Sequence, residues 1–345
     1  MPLKAVSEEE SDTQAFSEDN AAWYIYGGYN VSYWTIIPSV FFEFSYNNEP
    51  YKIKQFGIKT NYSIFSFGLE YNNSNISFSN VFTINENDKE NQSHLAEQLK
   101  IFNGLSFGKL SVYLSASYQK FNTTATSTQE KDINYYSKND GLIIVKEHDT
   151  IEWFTRYSKY DLRFDYSTSD NGIFSLGIRY MNFEAPTEVD ISKQNSTTSG
   201  GIILFTKNKI IDPYFGVTLK NRSSNSFYSL FSVSGSMLFT SYYPESQYFD
   251  IDYNNPLSFE SFSITGVYTC SYAFHFTGEH YRIETGVKAE ASMASLLYDS
   301  TLERDITARS QTGAPVTFNT GDAVELNFSR NEVFWGYYIK ASSFF

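Results

Sequence analysis

The chain has 345 residues, a formal net charge of −13, one cysteine, and an aromatic share of 18% from 28 Tyr, 31 Phe and 4 Trp, yet its mean hydropathy is only −0.37. The acidic balance argues against a nucleic-acid partner, since little is present to neutralise a phosphate backbone, and the lone Cys270 excludes an internal disulfide. No stretch approaches 18 consecutive apolar residues, so no helical membrane span is expected; a spanning β-strand, needing only about ten alternating residues, stays open.

Residues 1–22 open with "MPLKAVSEEESDTQAFSEDN", acidic and turn-rich, and are expected to form a flexible or periplasmic tail. The stretch lacks the apolar core of a signal peptide, so an exported chain is expected in its mature form. From residue 23 onward the pattern is alternation. Val40, Phe42, Phe44 and Tyr46 oppose Ser39, Glu43 and Ser45; Phe65, Phe67, Leu69 and Tyr71 oppose Ser66, Gly68 and Glu70. The stretch "SHLAEQLKIF" (93–102) is the sole helical candidate, or a turn leading into a strand. Next, Tyr160, Leu162, Phe164 and Tyr166 alternate with Lys159, Asp161, Arg163 and Asp165, and Phe174, Leu176, Ile178 and Tyr180 with Ser175, Gly177 and Arg179.

The clearest segment is "SITGVYTCSYAFHF" (263–276). Ile264, Tyr268, Cys270, Tyr272, Phe274 and Phe276 share one parity, while Thr269, Ser271, Ala273 and His275 share the other. Side chains alternate across a strand, so one face is large and apolar and the other small and mostly uncharged. In 281–298, Ile283, Val287, Ala289, Ala291, Met293 and Leu297 oppose Arg282, Glu284, Lys288 and Glu290. Turn signals at 47–50, 167–172, 205–209, 276–280 and 329–332 suit hairpins. Longer polar stretches at 85–97, 122–148, 185–200, 243–256 and 299–321 read as loops.

Two media could receive the apolar faces. In a soluble β-sandwich they meet each other; in a membrane barrel they meet lipid around a polar lumen. Segments such as 225–242, 258–276 and 281–298 far exceed the five or six residues usual in soluble sheets. Aromatics near segment ends (Trp34, Tyr46, Tyr71, Trp153, Tyr242, Tyr298, Trp335) suit the girdles at membrane interfaces. The expected fold is therefore all-β, a transmembrane antiparallel up-and-down barrel over 23–345. About 14 strands are expected, in a range of 12 to 16, with short periplasmic turns and longer outer loops.

The chain closes on "VFWGYYIKASSFF" (333–345), where Trp335, Tyr337, Ile339 and Phe345 share a parity. This ending resembles the closing strand of Gram-negative outer-membrane β-barrel proteins, in which such residues form the assembly signal; Ala341 and Ser343 are weak at their places. The resemblance identifies an architecture and a compartment, and no specific family. It implies insertion by the outer-membrane assembly machinery, a periplasmic N-terminus, and contact with outer-membrane lipid and lipopolysaccharide.

Candidate chemistry is sparse. His275 shares a face with Ser271 and Ser263, but Ser271 lies about 13 Å along the strand, too far for direct proton transfer. His148 stands between Glu147 and Asp149, with adjacent strand residues pointing to opposite faces. "DIDYNN" (250–255) begins like a calcium loop, yet carries Asn255 where glycine and Ser261 where glutamate are wanted. No catalytic, metal or cofactor site is assigned. The lumen candidates are Lys159, Asp161, Arg163, Asp165, Arg179, Arg282, Glu284, Lys288 and Glu290. Their mixed signs suit a hydrated, weakly selective channel for small polar solutes or ions, or a lumen closed by salt bridges. A non-transporting barrel serving as surface anchor, adhesin or structural protein is the alternative; a membrane-embedded hydrolase ranks third.

Overall fold

The computed structural model describes residues 23–36, 44–46, 50–73, 96–127, 133–137, 141–145, 150–169, 171–224, 226–237, 240–246, 261–263, 266–278, 280–302, 305–310 and 314–344. The expected tail 1–22, the stretch 37–43, His94, His148, residues 250–255 and Phe345 lie outside them.

The described strands, in chain order, are β1 (Trp23–Ile36), β2 (Phe44–Tyr46), β3 (Tyr51–Tyr62), β4 (Phe65–Asn73), β5 (Ala96–Phe107), β6 (Leu110–Ser127), β7 (Ile133–Ser137), β8 (Gly141–Val145), β9 (Thr150–Ser169) and β10 (Gly172–Lys193). They continue as β11 (Ser199–Ser224), β12 (Phe227–Ser236), β13 (Thr240–Ser246), β14 (Ser261–Ser263), β15 (Val267–Thr277), β16 (Tyr281–Thr301), β17 (Ile306–Arg309), β18 (Pro315–Phe318) and β19 (Ala323–Phe344). Twelve of them close a ring of antiparallel pairs in the order β1, β3, β4, β5, β6, β9, β10, β11, β12, β15, β16, β19 and back to β1. That number is the lower end of the expected range, because 240–246 and 261–263 pair outside the ring, β13 on β11 and β14 on β13.

The ladder registers fix the size of the barrel. Following direct partners from Asn221 through Ser229, Phe274, Thr285, Ile339, Tyr29, Lys54, Asn73, Glu97, Lys120, Arg156 and Glu184 brings the circuit back to β11 at Lys207, a stagger of 14 residues. With ordinary strand rise and spacing, twelve strands at this stagger tilt by roughly 40° and stand about 12 Å from the axis. Two long side chains reaching inward from opposite walls therefore meet.

The alternation sorts as expected. Leu114, Tyr160, Phe164, Phe174, Leu176, Phe215, Tyr268, Tyr272, Phe274, Val287, Tyr337 and Ile339 are exposed on the outer face. An apolar band of this kind faces hydrocarbon. Short connections of two or three residues (63–64, 108–109, 170–171, 225–226, 278–280) stand at one end, beside the paired chain ends Tyr24 and Phe344. At 108–109 the turn needs a residue with positive φ, and Gly108 supplies it at 60° without a Cβ to clash. The longer intervals of sequence follow the opposite ends of the strands. Short periplasmic turns, long outer connections and an outward apolar band place the chain in the outer membrane.

Three sequence expectations are corrected. Residues 205–209 and 329–332, polar enough to read as turns, run inside β11 and β19. Polarity misled there because one face of each strand looks into the barrel or its outer cover. The stretches 185–200, 299–321 and 122–148, read as loops, contain parts of β10, β11 and β6 and the hairpins β17–β18 and β7–β8. The helical candidate 93–102 is strand from Ala96 onward, since Gln98, Lys100 and Phe102 alternate with the exposed Leu99 and Ile101.

Candidate functional site: the barrel interior

Every lumen candidate lies on the face opposite the apolar band, and several reach across the hollow. Lys159 Nζ on β9 stands 3.3 Å from Glu290 Oε2 on β16, with four strands between them by the shorter path. Asp161 accepts from the Tyr214 hydroxyl at 2.8 Å. Arg163 pairs with Asp165 at 3.0 Å and lies 4.8 Å over the Tyr113 ring. Glu284 accepts from Tyr338 at 2.6 Å and stands 3.9 Å from His275 Nδ1. Lys288 is solvated, between Ser271 and Gly336 in the register. Arg282 is buried, between Thr277 and Ser342 near the periplasmic end.

Arg179 is the most deeply held. Its Nε and Nη2 reach Oδ2 of Asp212 at 2.8 and 2.7 Å, its guanidinium stacks 4.1 Å over Tyr214, and Nη2 donates to the Val267 carbonyl at 3.0 Å. Both ions are almost wholly buried, at 2% and 0% exposure. The Val267 carbonyl opens β15, just past the last β12–β15 pair, Gly235 with Tyr268. Backbone groups at a ladder end inside a membrane wall must be satisfied by the protein itself. Arg179 does this for the carbonyl from three strands away, together with the Ser236 hydroxyl at 3.2 Å, and Ser236 Oγ accepts from Val267 N at 2.6 Å.

Closer to the outer mouth the hollow is bridged. Tyr157 on β9 donates to Glu332 on β19, diametrically opposite in the ring. The Phe334 ring, also from β19, lies 5.1 Å from Phe121 and 5.7 Å from Tyr157, and Phe121 meets Tyr51 at 5.3 Å. Such edge and tilted contacts are the favourable aromatic geometries. Tyr51, Phe121, Tyr157 and Glu332 are all buried. Below this layer, Tyr26 from β1 donates to Glu70 on β4 at 2.9 Å, and Lys340 lies 3.9 Å over its ring. Tyr26 has room because the facing residue is Gly57, where a Cβ would overlap the ring.

Sequence reading missed Asp212 and Glu332 because each sits in or beside a polar run taken for a turn, and Tyr157 and Phe334 because aromatics were assigned to lipid. Parity alone would have found the last two, since Tyr157 shares the face of Lys159 and Phe334 that of Glu332. His275 is buried and stacked on Tyr228 with centroids 4.5 Å apart, a packed interior histidine. On the outer face Trp335 is exposed and stacks on Tyr33 at 4.2 Å, and Tyr337 and Ile339 are exposed beside it. Of the other girdle aromatics, the side chains of Trp34, Tyr46, Trp153, Tyr242 and Tyr298 lie outside the described ones.

No family model matches the chain, and no curated protein matches it. Among solved structures it is similar to the translocator domain of autotransporter NalP from Neisseria meningitidis (9% identity, 95% of this chain and 92% of that chain, TM-score 0.44). It is also similar to the Ralstonia pickettii toluene transporter TbuX (9% identity, 95% and 90%, TM-score 0.39) and a Pseudomonas aeruginosa FadL homologue (8% identity, 94% and 90%, TM-score 0.37). At these TM-scores the similarity bears on neither activity nor solute, which rest on the interior itself.

Proposed function

We propose that the chain is a gated transport barrel of the outer membrane, passing small polar or charged solutes when side-chain bridges across its lumen let go. Of the two expected interiors, a hydrated channel and a lumen closed by salt bridges, this reading takes both: the passive path is present and is bridged at rest. The observation that carries the reading is the contrast between two layers. The mid-barrel lining is ionic and partly hydrated, with Lys159 and Glu290 side chains 23% and 34% exposed, whereas the layer above is shut by Tyr157, Glu332, Phe334 and Phe121. Charges inside a membrane protein are expensive and mark solute or ion paths by default, and a static filler would be better made of apolar side chains. On this reading lipid and lipopolysaccharide surround the apolar band, and the assembly machinery is the route of insertion.

Planar-bilayer recording tests it. The wild-type barrel is expected to be nearly silent, while Phe334→Ala, which withdraws the ring spanning the hollow, gives discrete conductance steps and admits small solutes to liposomes. A silent Phe334→Ala barrel of correct fold refutes transport. The second reading, a surface platform, then stands, favoured by the 22 and 26 residues of β10 and β11, far more than the roughly ten that cross a bilayer.

A further inference from the structure

On one edge β10 is paired with β11 along its whole length. On the other edge it is paired with β9 only as far as Glu184, opposite Arg156. From Glu188 to Lys193 that same edge pairs with Ser329 to Val324 of β19, a strand five places away around the ring. The outer part of the β10–β11 hairpin therefore crosses above the hollow and docks on the far wall. Between the two partners stand Ala185, Pro186 and Thr187, for which the described ladders give pairing to β11 alone. A proline has no N–H for a ladder and is tolerated where an edge is unpaired. It sits where the strand changes partner.

What the crossing segment rests on is apolar. Val189 and Ile191 of β10, Val324, Leu326 and Phe328 of β19, and Phe318 of β18 are each exposed by 1% or less. The seat is fastened at its tip, where Lys193 Nζ meets Asp322 Oδ1 at 2.5 Å and Gln194 N donates to the Ala323 carbonyl at 2.9 Å. Lys193 is 41% exposed at that bridge, and exposed ion pairs hold weakly.

We propose that the outer β10–β11 hairpin is a hinged lid, pivoting at Ala185–Thr187, that lifts from β19 to uncover the barrel mouth. Its motion stands on the pairing, in which, among the described residues, the β11 edge of the lid is held only by the short contacts of Ile203 and Leu204 with β7 and of Gly201 with β17; its consequence for solutes rests on the transport reading. The directly facing residues Ser192 and Glu325 allow a tether, Ser192→Cys with Glu325→Cys in a Cys270→Ser background. Hydrogen exchange in lipid reads the motion at the amides of 188–193, with 295–300 of β16 as the internal control. The oxidised tether is expected to slow exchange of 188–193 at least ten-fold, reversibly on reduction, and Pro186→Ala to slow it about three-fold, both leaving 295–300 unchanged. Equal exchange in wild type, Pro186→Ala and the tethered pair overturns the lid, and Pro186→Ala decides the matter alone if the disulfide does not form. In Phe334→Ala carrying the tether, conductance is expected to fall on oxidation and return on reduction. Exchange that behaves as expected beside a barrel that never conducts keeps the lid and removes the transport reading.

Discussion

Asp212→Asn removes the negative partner of Arg179 while keeping the shape of the side chain. The pair is 2% and 0% exposed in the packed interior of the barrel, so the guanidinium loses its ion-pair partner while buried, at a cost of about 3–5 kcal/mol. Glu290→Gln breaks a pair whose side chains are 23% and 34% exposed, and water replaces most of what is lost, for about 1 kcal/mol or less. Replacing both members of the buried pair, Arg179→Met with Asp212→Leu, removes the stranded charge. It leaves the Val267 carbonyl with the Ser236 hydroxyl, 3.2 Å away, as its side-chain donor, a loss of about 0.5–1.5 kcal/mol. Reversible urea unfolding in lipid vesicles measures all three. The expected order is Asp212→Asn well below the double variant, with Glu290→Gln near wild type. An Asp212→Asn barrel as stable as Glu290→Gln, or a double variant no better than the single, would refute the claim that this pair is dry and holds the end of β15.

Further outcomes follow from the two faces and the lid. Ile178→Arg puts a charge among the lipid-facing side chains and is expected to cost about 2–4 kcal/mol in the same unfolding assay, while Ser115→Arg, on the lumen face opposite Asp161 in the register, costs far less. Gly57→Val drives a side chain into the Tyr26 ring; overpacking of this kind costs about 1–3 kcal/mol, and the Tyr26–Glu70 bond is lost with it. Acid should loosen the lid. Hydrogen bonds from the Thr320 amide and hydroxyl hold the Asp305 carboxyl below its usual range, and Lys193 with the Asn319 amide does the same for Asp322. A lowered carboxylate contributes stability above its ordinary pKa of about 4 and loses it as pH falls through the lowered value. Exchange at 188–193, corrected for its intrinsic pH dependence, is expected to accelerate below about pH 4 and stay constant from pH 5 to 7.

The architecture was legible because a barrel wall writes itself into a chain with period two. In 281–290 and 158–166 each lipid-facing residue neighbours a lumen-facing one, and the structure keeps every one of those parities. The closing strand was legible for the same reason, as Trp335, Tyr337 and Ile339 all face outward. What sequence could not supply was partnership across the hollow. Glu332 and Tyr157 are 175 positions apart, and only the stagger of the ring brings them to one level. The lid was hidden differently. Strand residues 188–193 and 324–329 lie in or beside polar runs, and their pairing joins strands that are remote in the ring. Pro186 falls in the polar stretch 185–200 that reads as a loop, whereas it stands inside a strand at a change of partner.

The central claim is that one face of each strand meets hydrocarbon and the other a polar hollow. Oxygen accessibility of nitroxides placed singly at positions 111–118 of β6, in lipid and a Cys270→Ser background, tests it most directly. Leu114 and Tyr118 are 53% and 41% exposed on the outer face, so maxima are expected at 112, 114, 116 and 118 and minima between them. Low oxygen accessibility at 114 and 118, or maxima at 113, 115 and 117, would contradict it.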